Sequence, residues 1–374
     1  MVSVLVTNLI WIGWMGAWTP ALAEVDTLRA ADHAPLMEQV PAEEQKAFEE
    51  ALISAGSNWP ELAKGVKEAA SEEVRRAVVQ LILDIPPSDR AEATSAILLD
   101  HATTAVQARA EVPYPVPPDH FVKHVLNFRL DFESVDGWRR VLFDRVFPLA
   151  EGVNSASEAA RQINRWVADH TEVRRSHEAI RQTPLVTLRE GRGSPTDLCI
   201  LLGAALRAVC IPARMIYVYA LGEEPGRGFW IEAFVDGAWT PLYPSHPEAF
   251  GDVRWMERDH PHNLIKVTTR YGPYWEDRQA DESLEPTEDR TADYTDVGWL
   301  ETTVDGLSKK EYVVISVFNG GSWIPIVRGK PGTFVLGDGE VLVTVGRPHV
   351  HIVTQRVAIR PGEATTLRLA LPSE

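Results

Sequence analysis

Two thiols offer the most direct chemistry in this 374-residue sequence, Cys199 and Cys210. A thiolate at the first turn of a helix is stabilised by the positive end of the helix dipole and becomes a nucleophile. Cys199 stands four positions after Pro195 in a strongly helical run, about one turn deeper on the same face. With His246 as its base it would form a nucleophile and proton carrier. Against this, a free cysteine in an apolar stripe is ordinarily a small packed residue. A thiol one turn inside a helix also lies away from the tip that would activate it. Cys210 closes the same run and is expected to pack. The two are eleven positions apart on one element, which argues against a disulfide.

Metal chemistry has weaker signals. His120 and His124 are four apart beside Asp119 and could share a helix face toward zinc, without a motif for a third ligand. His260-Pro261-His262 and His349-Val350-His351 alternate, so each pair would point one way from a strand, with solvent-facing histidines the default. Gly191-Arg192-Gly193 is too short for a phosphate loop. No cofactor or metal is expected. Trp230, Trp239, Tyr217, Tyr219 and Tyr243 fall within one short stretch and could line a groove or simply pack.

The elements that must hold these residues are legible. Ser194, Pro195 and Asp197 suit the N-cap, first and third positions of a helix. Leu198, Leu201, Leu202, Ala205, Leu206 and Val209 give that helix its buried stripe. Met215 to Ala220 and Phe229 to Val235 read as strands, and Asp236-Gly237 as a hairpin turn before Trp239. Before them, residues 41–111 show helical spacing, with Ser88 or Asp89 as caps, and Ser155 or Ser157 opens a helix through Ala159, Ile163, Trp166 and Val167. Tyr114-Pro115-Val116-Pro117-Pro118 is a stiff connector. Residues 276–300 are acidic without periodicity and read as a linker. After residue 311, short strands spaced by turns suggest a β-sandwich.

The run from Gly191 through Ser194-Pro195-Thr196-Asp197-Leu198-Cys199, continuing to Leu206-Arg207-Ala208-Val209-Cys210-Ile211-Pro212-Ala213-Arg214, resembles the transglutaminase-like superfamily, a papain-like fold. So does Phe229-Trp230-Ile231-Glu232-Ala233-Phe234-Val235-Asp236-Gly237-Ala238-Trp239. The resemblance is specific over roughly residues 155 to 250. It implies an α+β chain with a helical N-terminal layer, a transglutaminase-like core of one central helix on an antiparallel sheet, and a C-terminal β-sandwich. The expected divisions are 1–23 leader, 24–118 helical region, 119–275 core, 276–310 linker and 311–374 sandwich. In the family a cysteine opens the helix, a histidine precedes the first tryptophan strand, and an acid ends the next. The resemblance puts Pro195, Gly228 and Tyr243 at those positions, or His246 for the acid in another loop register. Where the family has glycine before Ile-Pro-Ala-Arg, this chain has Cys210. Proline carries no nucleophilic atom, glycine cannot shuttle a proton, and a phenol with a pKa of about 10 is a poor orienting acid.

The reading that follows is an inactive transglutaminase-like protein that binds or scaffolds. Ser194, Trp230, Tyr243 and His246 are its candidate binding residues, and extended peptide, protein or glycan its ligand. The alternatives are an active cysteine hydrolase or acyltransferase using Cys199, and a purely structural envelope protein. A net charge of −16 excludes a general nucleic-acid binder. Apolar residues from Val4 to Trp18, then Ala21-Leu22-Ala23, form the pattern of a secretory leader without its usual basic start. Export to a bacterial periplasm or medium is therefore expected, with membrane contact only if that segment stays uncleaved.

Overall fold

The computed structural model describes residues 35–174, 181–220, 227–255, 264–269, 288–306, 312–347 and 350–371. The leader, the His260/His262 pair and His349 lie outside these residues. In the first helices, α1 (Gln45–Ser54) buries Phe48, Ala51 and Leu52, and α2 (Trp59–Lys67) starts with proline in its first turn. The Ser71 hydroxyl caps α3 (Glu72–Asp84) by accepting from Val74 N–H at 3.2 Å. Thr94 caps α4 (Ser95–Glu111) in the same way. The caps expected at Ser88 or Asp89 are corrected here. Both sit in a single turn, Pro87–Arg90, and the buried Asp89 carboxylate instead accepts from Arg129 Nε at 2.7 Å.

α5 (Arg139–Glu151) and α6 (Ala156–His170) follow, α6 capped by Ser155 as expected. α7 (Pro184–Glu190) stops at Gly191, whose φ of 62° is the left-handed cap glycine favours. α8 (Pro195–Ala208) is buried from Thr196 to its end. It lies between α5 and α6 on one side and an antiparallel sheet on the other. Gly203 permits that approach, since a Cβ there would stand 2.6 Å from Leu130 Cδ2 and 3.2 Å from Ile231 Cδ1. One apolar cluster runs from Leu36 to Leu242, so the helical layer and the sheet share a core. The boundary expected at residue 118 divides the chain but not that core.

The sheet contains β1 (Ala213–Ala220), β2 (Arg227–Val235), β3 (Ala238–Leu242) and β4 (Leu264–Thr269), ordered β3-β2-β1-β4. The β2–β3 turn is the expected Asp236-Gly237, both with positive φ (53° and 82°). Met215, Tyr217 and Ile231 face α8. Ile216, Val218 and Trp230 pack a second cluster with Tyr243 and Tyr294 on the opposite face.

The sandwich has one strand more at its start than expected. β5 (Val297–Asp305) is the centre of a three-stranded sheet with β8 (Thr333–Gly337) and β11 (Ala364–Ala370), the last parallel to it. β6 (Tyr312–Asn319), β7 (Ser322–Gly329), β9 (Gly339–Arg347) and β10 (Val350–Ile359) make the other sheet, ordered β10-β9-β6-β7. The linker expected at 276–310 is thus corrected for its second half. β5 leaves little trace in the sequence because its inward residues are Gly298, Leu300 and Thr302, a weak apolar alternation. Gly298 is required there: a Cβ would lie 2.3 Å from the Arg360 carbonyl oxygen. Several contacts tie the sandwich to the core, among them Ile265 of β4, buried in the sandwich's apolar cluster. Lys266 on β4 donates to Val335 O at 2.9 Å while pairing with Asp289. At Gly337 a Cβ would meet Leu264 O at 1.8 Å.

Candidate functional site

The tip of α8 is closed by its own sequence. Asp197 N–H donates to Ser194 Oγ at 3.2 Å, and Ser194 N–H donates to Asp197 Oδ2 at 2.8 Å, a reciprocal capping box. The other carboxylate oxygen, Oδ1, accepts from Gln182 N–H at 2.9 Å. Pro195 occupies the first helical position, where a missing N–H costs no hydrogen bond, and its ring is exposed. Ser194 spends its hydroxyl on this cap, which limits what it can offer a ligand.

Gly228 is half-buried on β2, opposite Val218 of β1. Tyr243 is 3% exposed; its hydroxyl donates to Asp252 O at 3.1 Å and its ring packs 4.7 Å from that of Trp255. Trp230 is fully buried, its indole N–H donating to the Tyr294 hydroxyl at 3.1 Å. Trp230 and Tyr243 therefore belong to the core, and the expectation that they line an open groove is corrected. Aromatic rings on the inward face of a sheet pack before they bind.

Cys199 is also buried. Its thiol lies 3.5 Å from the Phe229 carbonyl oxygen. Burial pushes the thiol well above its usual pKa, and the negative charges of Asp131 and Asp197 raise it further. The His246 ring lies tilted 4.5 Å from that of Trp255, with Nδ1 3.4 Å from Glu248 Oε1. Cys199 packs in the cluster on the α8 side of the sheet, and Trp255 packs against the cluster on the other side. The nucleophile–base pair considered from sequence is not brought together.

The His120 and His124 rings are 5.5 Å apart, and both lean on Trp239, at 5.3 and 4.9 Å. Burial, helped by the charges of Arg207 and Arg214, pushes His124 down to about 2, so it is neutral at ordinary pH. Among the described residues no group of three or more His, Cys, Asp or Glu side chains could hold a metal ion.

Residues separated widely in sequence build two features that local patterns do not reveal. Behind the sheet, buried Glu232 accepts from Arg214 Nε at 2.7 Å, from the Tyr294 hydroxyl at 2.5 Å and from Arg290 Nη2 at 3.4 Å. Beside the α8 tip lies a small cleft of about 40 Å³, walled by Asp131, Phe132, Arg181, Tyr217, Tyr219 and Phe229. Asp131 is 2% exposed and accepts from the Tyr217 hydroxyl at 2.5 Å and from Arg181 Nε at 2.9 Å. The Glu133 carboxylate fixes the turn that carries it, accepting from the N–H groups of Leu130 and Asp131, each at 2.8 Å. The Arg181 guanidinium carbon lies 5.6 Å from the Phe229 ring centroid. Since Gln182 is bound to Asp197, the segment carrying Arg181 is held against the start of α8. Tyr217 was legible as an aromatic strand residue. Asp131 and Arg181 were not, because their partners are 50 or more positions away.

The central helix, the hairpin and the order of their motifs find a match among known families. Residues 145–244 match the family described as the transglutaminase-like superfamily. This segment is a transglutaminase-like domain. It takes in α6, α7, α8 and β1 to β3, with the cleft at its edge. A solved structure of a candidate cysteine protease from Cytophaga hutchinsonii is similar to the chain at 20% identity, covering 30% of this chain and 40% of that one, with a TM-score of 0.27. No curated protein matches the chain.

Proposed function

We propose that this chain is a non-catalytic binding module built on its transglutaminase-like domain. One observation carries the reading. The positions at which the family resemblance expects nucleophile, base and acid hold Pro195, Gly228 and Tyr243, and the two cysteines are buried. A capped helix tip and a thiol held protonated by burial give no route to an acyl-enzyme. Removing a nucleophile also leaves little for the remaining groups to rescue. The binding surface is the cleft beside the α8 tip, with extended polypeptide or cell-surface polymer as its ligand class. The apolar stretch Val4–Trp18 and the Ala21-Leu22-Ala23 that follows support export.

The test is direct. The purified full chain is incubated with a panel of fluorogenic amide and ester substrates, and the same chain is screened against arrays of peptides and glycans. Retention of a ligand without turnover is the expected result. Turnover lost on Cys199→Ala would establish the hydrolase instead, and failure to retain any peptide or glycan would favour a structural spacer.

A further inference from the structure

The cleft has a polarity that narrows its ligand. Arg181 gives its Nε edge to Asp131, and among the described residues no other partner holds Nη1 and Nη2. Both Asp131 carboxylate oxygens are engaged, one by Tyr217 and the other by Arg181. A cationic ligand would have to displace Arg181 from a partner that is itself buried. An anionic ligand needs only the outer edge of the guanidinium, which two parallel N–H groups suit to a carboxylate. Beside that edge stand two phenyl rings in an otherwise largely polar lining. Phe132 is 36% exposed, and Phe229 lies under the guanidinium. The cleft is small, about 40 Å³, which suits a carboxylate on a short group and, for a polypeptide, its terminus.

We infer that the cleft takes a carboxylate borne on a small apolar group, with Arg181 binding the carboxylate and Phe132 and Phe229 enclosing the apolar part. Two sources share this chemistry, the C-terminal residue of a polypeptide and a free short-chain acid. The inference rests on the binding-module reading above and adds what the module recognises.

Calorimetric titration of the full chain with acetyl-Ala-Ala as the free acid, the same dipeptide as its amide, and propionate tests it. The free acid is expected to bind at least tenfold more tightly than the amide. Arg181→Gln should abolish that difference, and Arg181→Lys should keep part of it. Should Arg181→Gln disturb folding, Phe132→Ser changes an exposed ring and is expected to weaken the acid at least fivefold with an unchanged near-ultraviolet circular dichroism spectrum. Propionate binding as tightly as the dipeptide acid identifies a free acid as the source, and dipeptide binding alone identifies a chain terminus. Equal binding of acid and amide, or no binding of either acid, overturns the inference. The binding-module reading fails separately, by turnover of a substrate or by retention of no ligand on the arrays.

Discussion

The Cys199 thiol lies 3.5 Å from the Phe229 carbonyl, and that carbonyl is its hydrogen-bond acceptor. A sulfur so placed has given up its proton to no imidazole and reaches no solvent. Native chain treated with iodoacetamide near neutral pH should label neither cysteine over the time in which the denatured chain labels both. Mass spectrometry of the two samples reads the outcome, and rapid native labelling of Cys199 would return the hydrolase to consideration.

His124 gives the stability a pH dependence of known sign. Its folded pKa, about 2, lies below the ordinary 6.5, so between those values the unfolded chain binds a proton that the folded chain refuses. Stability is therefore full above pH 6.5 and falls as the pH drops. The single site should remove roughly 2 kcal/mol between pH 7 and pH 5. His124→Phe should make the pH dependence of stability shallower than the parent's by about one proton, read from urea titrations at the two pH values. An unchanged slope would mean that the ring is hydrated.

Glu232 is the acceptor for two guanidinium groups and a phenol, all behind the sheet. Glu232→Gln leaves Arg214, 4% exposed at its side chain, with only the half-exposed Glu288 as counter-charge. The loss should be about 2–3 kcal/mol, below the cost of a wholly unpaired buried charge. Denaturant midpoints measure it, and Arg214→Met combined with Glu232→Leu should recover part of the loss.

Cys210 has a φ of 59° where the related motif carries glycine. A β-branched side chain tolerates that backbone poorly. Cys210→Val should therefore destabilise by about 2 kcal/mol or more, whereas Cys210→Gly trades backbone relief against lost packing and should change stability by less than about 1 kcal/mol. Thermal melts of the two variants order them.

Gly337→Ala would place a Cβ 1.8 Å from Leu264 O, at the junction of core and sandwich. The single melt expected of the parent should split into two transitions. A variant that melts as one unit would show that the junction can shift to admit the methyl group.

Local chemistry made α8 readable. Ser194, Pro195 and Asp197 are helix-start residues at the positions that use them, and the capping box forms as their spacing requires. Asp236-Gly237 likewise dictates its own turn. β5 was hidden because its inward side is Gly298, Leu300 and Thr302, and the demand for glycine comes from the distant Arg360 carbonyl. The cleft was hidden for the same kind of reason. Asp131, Arg181 and Tyr217 belong to three segments, and only the folded chain joins them. Of the aromatic residues expected at a groove, Tyr217 and Tyr219 line the cleft while Trp230 and Tyr243 are buried, because residue type does not distinguish a ring at a cleft from one facing a sheet's inner layer.

The closed tip of α8 also sets terms for any attempt to restore chemistry. A reactive sulfur needs free backbone donors and an accessible positive pole, and here Ser194 and Asp197 occupy both. Pro195 adds rigidity to the unfolded chain as well, which favours the folded state. Installing cysteine at 195, histidine at 228 and aspartate at 243 would therefore work against the local stability of the helix. Catalysis regained in this scaffold should come with a lower melting temperature, a trade of robustness for reactivity written into the first turn of one helix.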